Sequence, residues 1–179
     1  MKTLTLLRHA KSGWDDPVAR DFDRPLNAKG ERAATTMGRH VRSLGLGFDH
    51  VVASPARRVE ETIAGFEAGY GATLGAVPDR RIYLASAVTL LDLVRELPAD
   101  VERALLIGHN PGLEDLVLML VPASDDDALR ARVEDKFPTA SLAVIAFDGA
   151  WADLKMNGGR LENFVRPRDL DPALGPDQA

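Results

Sequence analysis

The sequence has no cysteine among its 179 residues. Disulfides, thiolate metal sites and a cysteine nucleophile are thereby excluded. No stretch approaches the roughly 18 apolar residues of a membrane span, so no membrane partner is expected. Lys2 is not followed by a long apolar run and small residues; no signal peptide is evident, and a cytoplasmic location is the expectation. Positive charge is not in excess either. There are 22 Lys and Arg against 27 Asp and Glu, a formal net charge of −5. That balance disfavours a nucleic-acid partner, although a local basic pocket can sit within an acidic surface. The glycine-rich segments lack both a Walker lysine and the GxGxxG pattern, so nucleotide-cradle readings fail. No grouping of His, Asp and Glu has the spacing of a metal site, and no metal or other cofactor is expected. Internal repeats and low-complexity linkers are also missing.

What remains is the composition of an ordinary soluble globular protein, 45% hydrophobic and 27% charged. The length suits one domain with a sizeable core. We expect that domain over residues 1–170 and a C-terminal tail over 171–179, where the last residues can stay mobile.

Residues 2–7 read as a first strand. Residues 10–26 carry Gly13, Pro17, Pro25 and many charges, and read as a long loop of the kind that is often functional. Asn27 caps a helix running to about Leu44, with Ala33, Met37, Val41 and Leu44 on one face. Gly45 and Gly47 stop it. Val51 to Ala53 is a second strand. Ser54 reads as an N-cap with Pro55 at the first helical position. The helix that follows places Ala56, Val59, Ile63, Phe66 and Tyr70 on one face, and Arg58 with Thr62 on another. Gly69, Gly71 and Gly75 end it.

Residues 76–84 read as a weaker third strand and 88–97 as a helix ended by Pro98. Ala104 to Ile107 is an unbroken apolar run, as in a strand buried on both faces. Pro111 opens a further helix over about 111–120, apolar nearly all round and therefore buried. The charged segment from Asp125 to Arg132 reads as loop plus short helix, without chemistry. Leu142 to Phe147 is a strand, Asp148-Gly149 a hairpin turn, and Trp151 to Met156 its expected partner. From Gly158 the chain reads as a tail packed across the domain.

Strand alternating with helix over two thirds of the chain predicts a three-layer α/β/α sandwich: a mostly parallel sheet with a C-terminal antiparallel hairpin strand. In such sheets, sites form at the carboxyl ends of the strands. Arg8-His9, Ser54 to Arg58 and Gly108-His109 each follow a strand directly, so one edge can gather them.

An imidazole delivered among cations suits a phosphoryl group, which needs cationic donors and an in-line nucleophile. A neutral imidazole can be that nucleophile and form a covalent phosphohistidine. Arg8 and Arg58 would hold His9 neutral, and the guanidinium fork can bond two phosphate oxygens. His109 is a further donor if protonated. By position alone, His40 and His50 read as structural, Ser54 as a cap and Thr62 as helix packing. Lys11 and Trp14 either line the mouth of the site or belong to the loop. A strand can also let His9 Nδ1 bond a backbone carbonyl and leave Nε2 free.

Leu6-Leu7-Arg8-His9, then Ser54-Pro55-Ala56-Arg57-Arg58 with Thr62, then Gly108-His109-Asn110-Pro111 resembles the histidine phosphatase superfamily, the phosphoglycerate-mutase-like fold. The resemblance runs from Lys2 to about Pro122. It implies His9 as phosphoacceptor, with Arg8, Arg58 and His109 as the catalytic phosphate pocket and Asn110 beside them as a phosphate-binding residue. Ala10 stands where the pattern usually has glycine. Arg8 to Ser12, the Asp23-Arg24-Pro25-Leu26-Asn27 segment with Gly30, and the lack of a large insertion are similar to the SixA type of phosphohistidine phosphatase.

Ester-cleaving members of the superfamily carry a carboxylic acid that protonates the leaving oxygen. It lies beyond the third strand, where this chain has Leu84 to Ala87, or directly after the second histidine, where it has Asn110. Both places lack a carboxylate. A P–N bond needs less help, because departing imidazole is a weak base with pKa about 6.5. The reading is therefore a metal-independent phosphatase acting on phosphohistidine carried by a protein. Two alternatives stay open. One is a small-molecule phosphomonoesterase using Asp15, Asp16 or another loop carboxylate. The other is a non-catalytic module that binds phosphate or phosphoprotein.

Overall fold

The computed structural model describes residues 1–13 and 20–176. Trp14, Asp15 and Asp16, which the sequence offers as site or acid candidates, lie outside the described residues, as do 177–179. Among the described residues six strands form one sheet: β1 (Lys2–Arg8), β2 (His50–Ala53), β3 (Val77–Pro78), β4 (Arg103–Gly108), β5 (Leu142–Phe147) and β6 (Arg160–Val165). Their order across the sheet is β3-β2-β4-β1-β5-β6. β1, β2, β3 and β4 run parallel, and β5 and β6 join antiparallel beyond β1. The helices are α1 (Ala28–Ser43), α2 (Arg57–Tyr70), α3 (Ala87–Arg95), α4 (Gly112–Leu120), α5 (Ala128–Asp135) and α6 (Pro167–Leu170). This is the expected α/β architecture with helices on both faces.

The apolar run of β4 shows why two layers of helix are needed. Its side chains alternate across the sheet. Ala104 and Leu106 belong to the core under α3 and α4, with Leu90, Val94, Leu113 and Leu116. Leu105 and Ile107 belong to the core under α1 and α2, with Met37, Val41, Val59 and Phe66. Each element begins and ends on local chemistry. Asn27 caps α1 by accepting from Gly30 N–H at 2.8 Å. Gly71, at φ 81°, turns the chain out of α2.

α1 and α2 lie unusually close. A Cβ built on Gly69 would fall 2.0 Å from the Thr35 carbonyl oxygen, and one on Gly38 would fall 2.1 Å from that of Phe66. Gly69 therefore does not end the helix; it lies inside α2 and lets α1 approach.

Three other sequence readings are corrected. The third strand is only Val77–Pro78, because Pro78 has no N–H and Asp79 then caps a 3-10 turn by accepting from Arg81 N–H. α2 starts at Arg57, its N-cap is Ala56, and Ser54 does not cap it. Trp151 to Met156 is not a strand. Trp151–Asp153 is a 3-10 turn that buries Trp151 and Leu154. Trp151 Nε1–H donates to the Val101 carbonyl at 2.6 Å, which anchors the connection. The partner of β5 is β6, from the segment read as tail. Leu161, Phe164 and Val165 are its buried residues, and the pairing shifts register between Val144 and Ile145. That break hides the alternation from a sequence reading.

The register aligns the strand ends. Arg8 lies opposite Gly108, and Ala53 opposite Ile107. The residues that follow, His9, Ser54 and His109, emerge side by side at one sheet edge. Among the described residues no helix is long and apolar enough to cross a membrane.

Candidate active site

Backbone hydrogen bonds fix the turn that carries His9. His9 N–H donates to the Gly108 carbonyl at 3.1 Å, and Ala140 N–H donates to the carbonyls of Arg8 and His9 at 3.1 and 3.0 Å. Ala10 N–H donates to Thr62 Oγ1 at 2.8 Å, and that hydroxyl donates to the Arg58 carbonyl at 2.6 Å. Thr62 thus ties α2 to the His9 turn, a role beyond helix packing. His9 is 7% exposed. Its Nδ1 lies 2.8 Å from the Ala10 carbonyl oxygen. A carbonyl can only accept, so Nδ1 carries the proton and Nε2 the lone pair. Burial, with His109, Arg8 and Arg58 close by, lowers the His9 pKa to about 3 against the opposing Ala10 bond. At neutral pH this is a neutral imidazole with an unprotonated Nε2.

His109 sits beside it, ring centroids 5.3 Å apart. Arg58 Nη2 approaches His109 Nδ1 at 3.3 Å, and His109 Nε2 lies 2.7 Å from Ser54 Oγ. Guanidinium only donates, so Nδ1 accepts and Nε2–H donates to Ser54. Ser54 is buried and orients His109. Burial and Arg58 lower the His109 pKa to about 4.

Arg58 is 2% exposed and meets a carboxylate. Its Nη1 donates to the Asp21 carbonyl at 2.8 Å and its Nη2 to Asp21 Oδ2 at 2.9 Å. Tyr83 donates its hydroxyl to the same Oδ2 at 2.6 Å, and Arg24 Nη2 holds Oδ1 at 3.1 Å. Burial pushes the Asp21 carboxyl up, but Tyr83, Arg24 and Arg58 together outweigh it and bring the pKa down to about 2. The Asp21 carboxylate thus supplies Arg58 with an anionic partner.

Arg8, His9, Arg58, His109 and Asn110 all line one cavity of about 390 Å³, with Lys11, Asp21 and Leu84 at its walls. The five residues singled out by sequence are brought together. They are not equivalent. Arg8 Nη1 donates to the Phe137 carbonyl at 2.8 Å, while the Nε atoms of Arg8 and Arg58 are buried with no partner. Both ends of the Asn110 amide are engaged. Nδ2 donates to the Phe137 carbonyl at 2.9 Å, and Oδ1 accepts from Glu114 N–H at 3.2 Å at the start of α4. Leu84, on the rim, is 57% exposed and has φ 51°, a left-handed conformation that a leucine rarely adopts. Among the described residues no cluster of three His, Asp or Glu could hold a metal.

The arrangement can receive an anion among guanidinium groups and present an unprotonated imidazole nitrogen to it. Sequence reasoning missed Asp21 and Tyr83, and gave Ser54 and Thr62 lesser roles. Asp21 lies three residues before Arg24, a spacing that brings the two together in a tight turn and offered some signal. Tyr83 reaches the site through the 3-10 turn after β3, which the sequence pattern does not reveal.

A family model described as histidine phosphatase superfamily (branch 1) matches residues 4–81. An uncharacterized protein of Mycobacterium tuberculosis is 34% identical over 163 residues, covering 90% of this chain and all of the relative. A solved structure from Nakamurella multipartitia, provisionally named phosphohistidine phosphatase SixA, is 31% identical with TM-score 0.81. It covers 93% of this chain and 96% of that one. A structure from Agrobacterium tumefaciens with the same provisional name is 30% identical with TM-score 0.75, covering 93% and 98%.

Proposed function

The chain belongs to the histidine phosphatase superfamily, resembles its SixA type and is a phosphatase; we propose that it removes the phosphoryl group from phosphohistidine on a protein, by way of His9. In this reading His9 Nε2 attacks phosphorus in line. The substrate ring carries a proton from solvent on its distal nitrogen, so that when the P–N bond breaks its electron pair leaves with a neutral imidazole. Water then attacks phosphorus, the His9 P–N bond breaks, and inorganic phosphate is released. Arg8 and Arg58 supply donors to the phosphoryl oxygens. A bound dianion raises the His109 pKa, and the proton gained at Nδ1, in place of the contact with Arg58, makes that nitrogen a donor while Nε2–H stays on Ser54. Asn110 holds the wall together through Phe137 and Glu114.

The observation that carries the choice of leaving group is the state of Asp21. It is the one carboxylate among the described residues lining the cavity, and it is held ionised, with a pKa of about 2. An ionised carboxylate cannot protonate an alkoxide. By the resemblance, the acid of ester-cleaving members belongs beyond the third strand, where this chain has Leu84 to Ala87, or directly after the second histidine, where it has Asn110. Departing imidazole needs no such acid.

The test is a paired rate comparison in EDTA between a phosphohistidine-bearing peptide and a panel of phosphate monoesters. A large preference for the P–N substrate is expected, with a trapped phosphoenzyme that disappears in His9→Ala. Loss of activity in EDTA with recovery in Mg²⁺ would overturn the metal-independent mechanism. Comparable monoester hydrolysis, lost in kcat alone in Asp21→Asn, would instead support a phosphomonoesterase in which Asp21 acts as the acid.

A further inference from the structure

A second groove of about 490 Å³ opens beside the catalytic cavity and shares Arg8, Lys11 and Thr139 with it. Its walls bring together Arg8, Lys11, Lys29, Lys136, Arg166 and Arg168, with no carboxylate among the lining residues. The cations arrive from four separate stretches: the end of β1, the start of α1, the end of α5, and the entry to α6. The chain as a whole carries −5, so this concentration runs against its composition. Some of it is offset from behind. Arg166 pairs with Asp169 at 2.8 Å, and Lys29 Nζ donates to the Gly175 carbonyl at 2.5 Å. The Nε of Arg168 is buried with no partner. The floor is apolar, formed by Ala33, Leu174 and three prolines.

We propose that this groove takes an acidic stretch of polypeptide flanking the phosphorylated histidine of the substrate protein. The inference rests on the phosphohistidine reading above. With the phosphoryl group in the cavity, the flanking chain leaves past Arg8 and Thr139. Its carboxylates face Lys29, Lys136 and Arg168, and its apolar side chains lie on the proline and leucine floor. Charge complementarity selects the occupant, and the apolar floor favours a peptide over a second bare phosphate.

The binding test uses a fluorescein-labelled, unphosphorylated histidine peptide flanked by Asp, Glu and Leu. Wild type is compared with Lys136→Glu/Arg168→Glu, neither residue being catalytic; Lys136→Gln/Arg168→Gln serves if the reversal fails to fold. Binding weaker by tenfold or more in the variant, and weaker in high salt, is expected. A matching tenfold loss in kcat/KM is expected for the phosphorylated acidic peptide, while free phosphoimidazole turns over at the wild-type rate. Lys136→Arg should bind as wild type. Equal binding of acidic peptide and its Asp→Asn, Glu→Gln counterpart would overturn the proposal. Displacement of the peptide by pyrophosphate at lower concentration than by unlabelled peptide would also overturn it, making the groove a second phosphate site. Peptide binding without turnover of any P–N substrate would instead count against the phosphatase reading alone.

Discussion

A single carbonyl oxygen decides which nitrogen of His9 is basic. Because the Ala10 carbonyl can only accept, Nδ1 keeps its proton and Nε2 is left unprotonated. The same logic fixes His109, between an arginine that only donates and a serine that can accept. Such tautomers are invisible in sequence, although the histidines themselves stand out as strand-end residues. Asp21 was less legible, because a carboxylate in a charged loop looks like any solvated one. Its place on Arg58 has a measurable effect. It offers the guanidinium an anion before phosphate arrives, so removing its charge should strengthen phosphate binding. We expect Asp21→Asn to lower the inhibition constant of inorganic phosphate by roughly tenfold, the scale of one partly screened charge pair. An unchanged or weaker inhibition would show that Asp21 does not compete with the ligand.

At the scale of elements, hydrophobic spacing located α1, α2, α3 and α4 and the buried β4, since burial on one or both faces leaves a periodic trace. It failed where burial and period part company. Trp151 and Leu154 are three apart, a turn of 3-10 geometry, yet their apolar character imitates a strand. β6 breaks its alternation at a register shift and in sequence reads as tail. The α1–α2 contact is hidden for another reason: Gly69 reads in sequence as a stop, whereas together with Gly38 it is the contact itself. Gly69→Ala should force the helices apart and cost about 1–3 kcal/mol by overpacking. Urea unfolding measures this directly. Since α2 carries Arg58 and Thr62, catalytic rate should fall as well. A variant as stable as wild type would mean that the helices can separate without cost.

For the whole molecule, the α/β layering followed from the alternation of strand and helix, and the strand ends gathered the site as that topology requires. The basic groove was not legible, because its cations come from segments scattered across the chain and meet only on folding. Proton uptake couples the site to global stability. His9 and His109 have folded pKa values of about 3 and 4, against about 6.5 in an unfolded chain. Between about pH 6.5 and 4 the unfolded state binds more protons, so stability is lost as pH falls through that window. Asp21 acts lower, its contribution being lost only between its ordinary value of 3.8 and about 2. The melting temperature should therefore drop from pH 7 to pH 5, and the drop should shrink in His9→Asn/His109→Asn. A wild-type melting temperature constant over that range would contradict the depressed values.

The stretch from Lys136 to Ala140 serves both cavities at once. Its backbone holds Arg8, Asn110 and the His9 turn through the Phe137 carbonyl and the Ala140 N–H. Its side chains at Lys136, Pro138 and Thr139 line the groove. Clientele and chemistry are thus written on the two sides of one ribbon. The side chains can be exchanged to suit a new partner while the path of the chain stays put. An insertion or deletion there would disturb the catalytic turn whatever partner it was meant to attract.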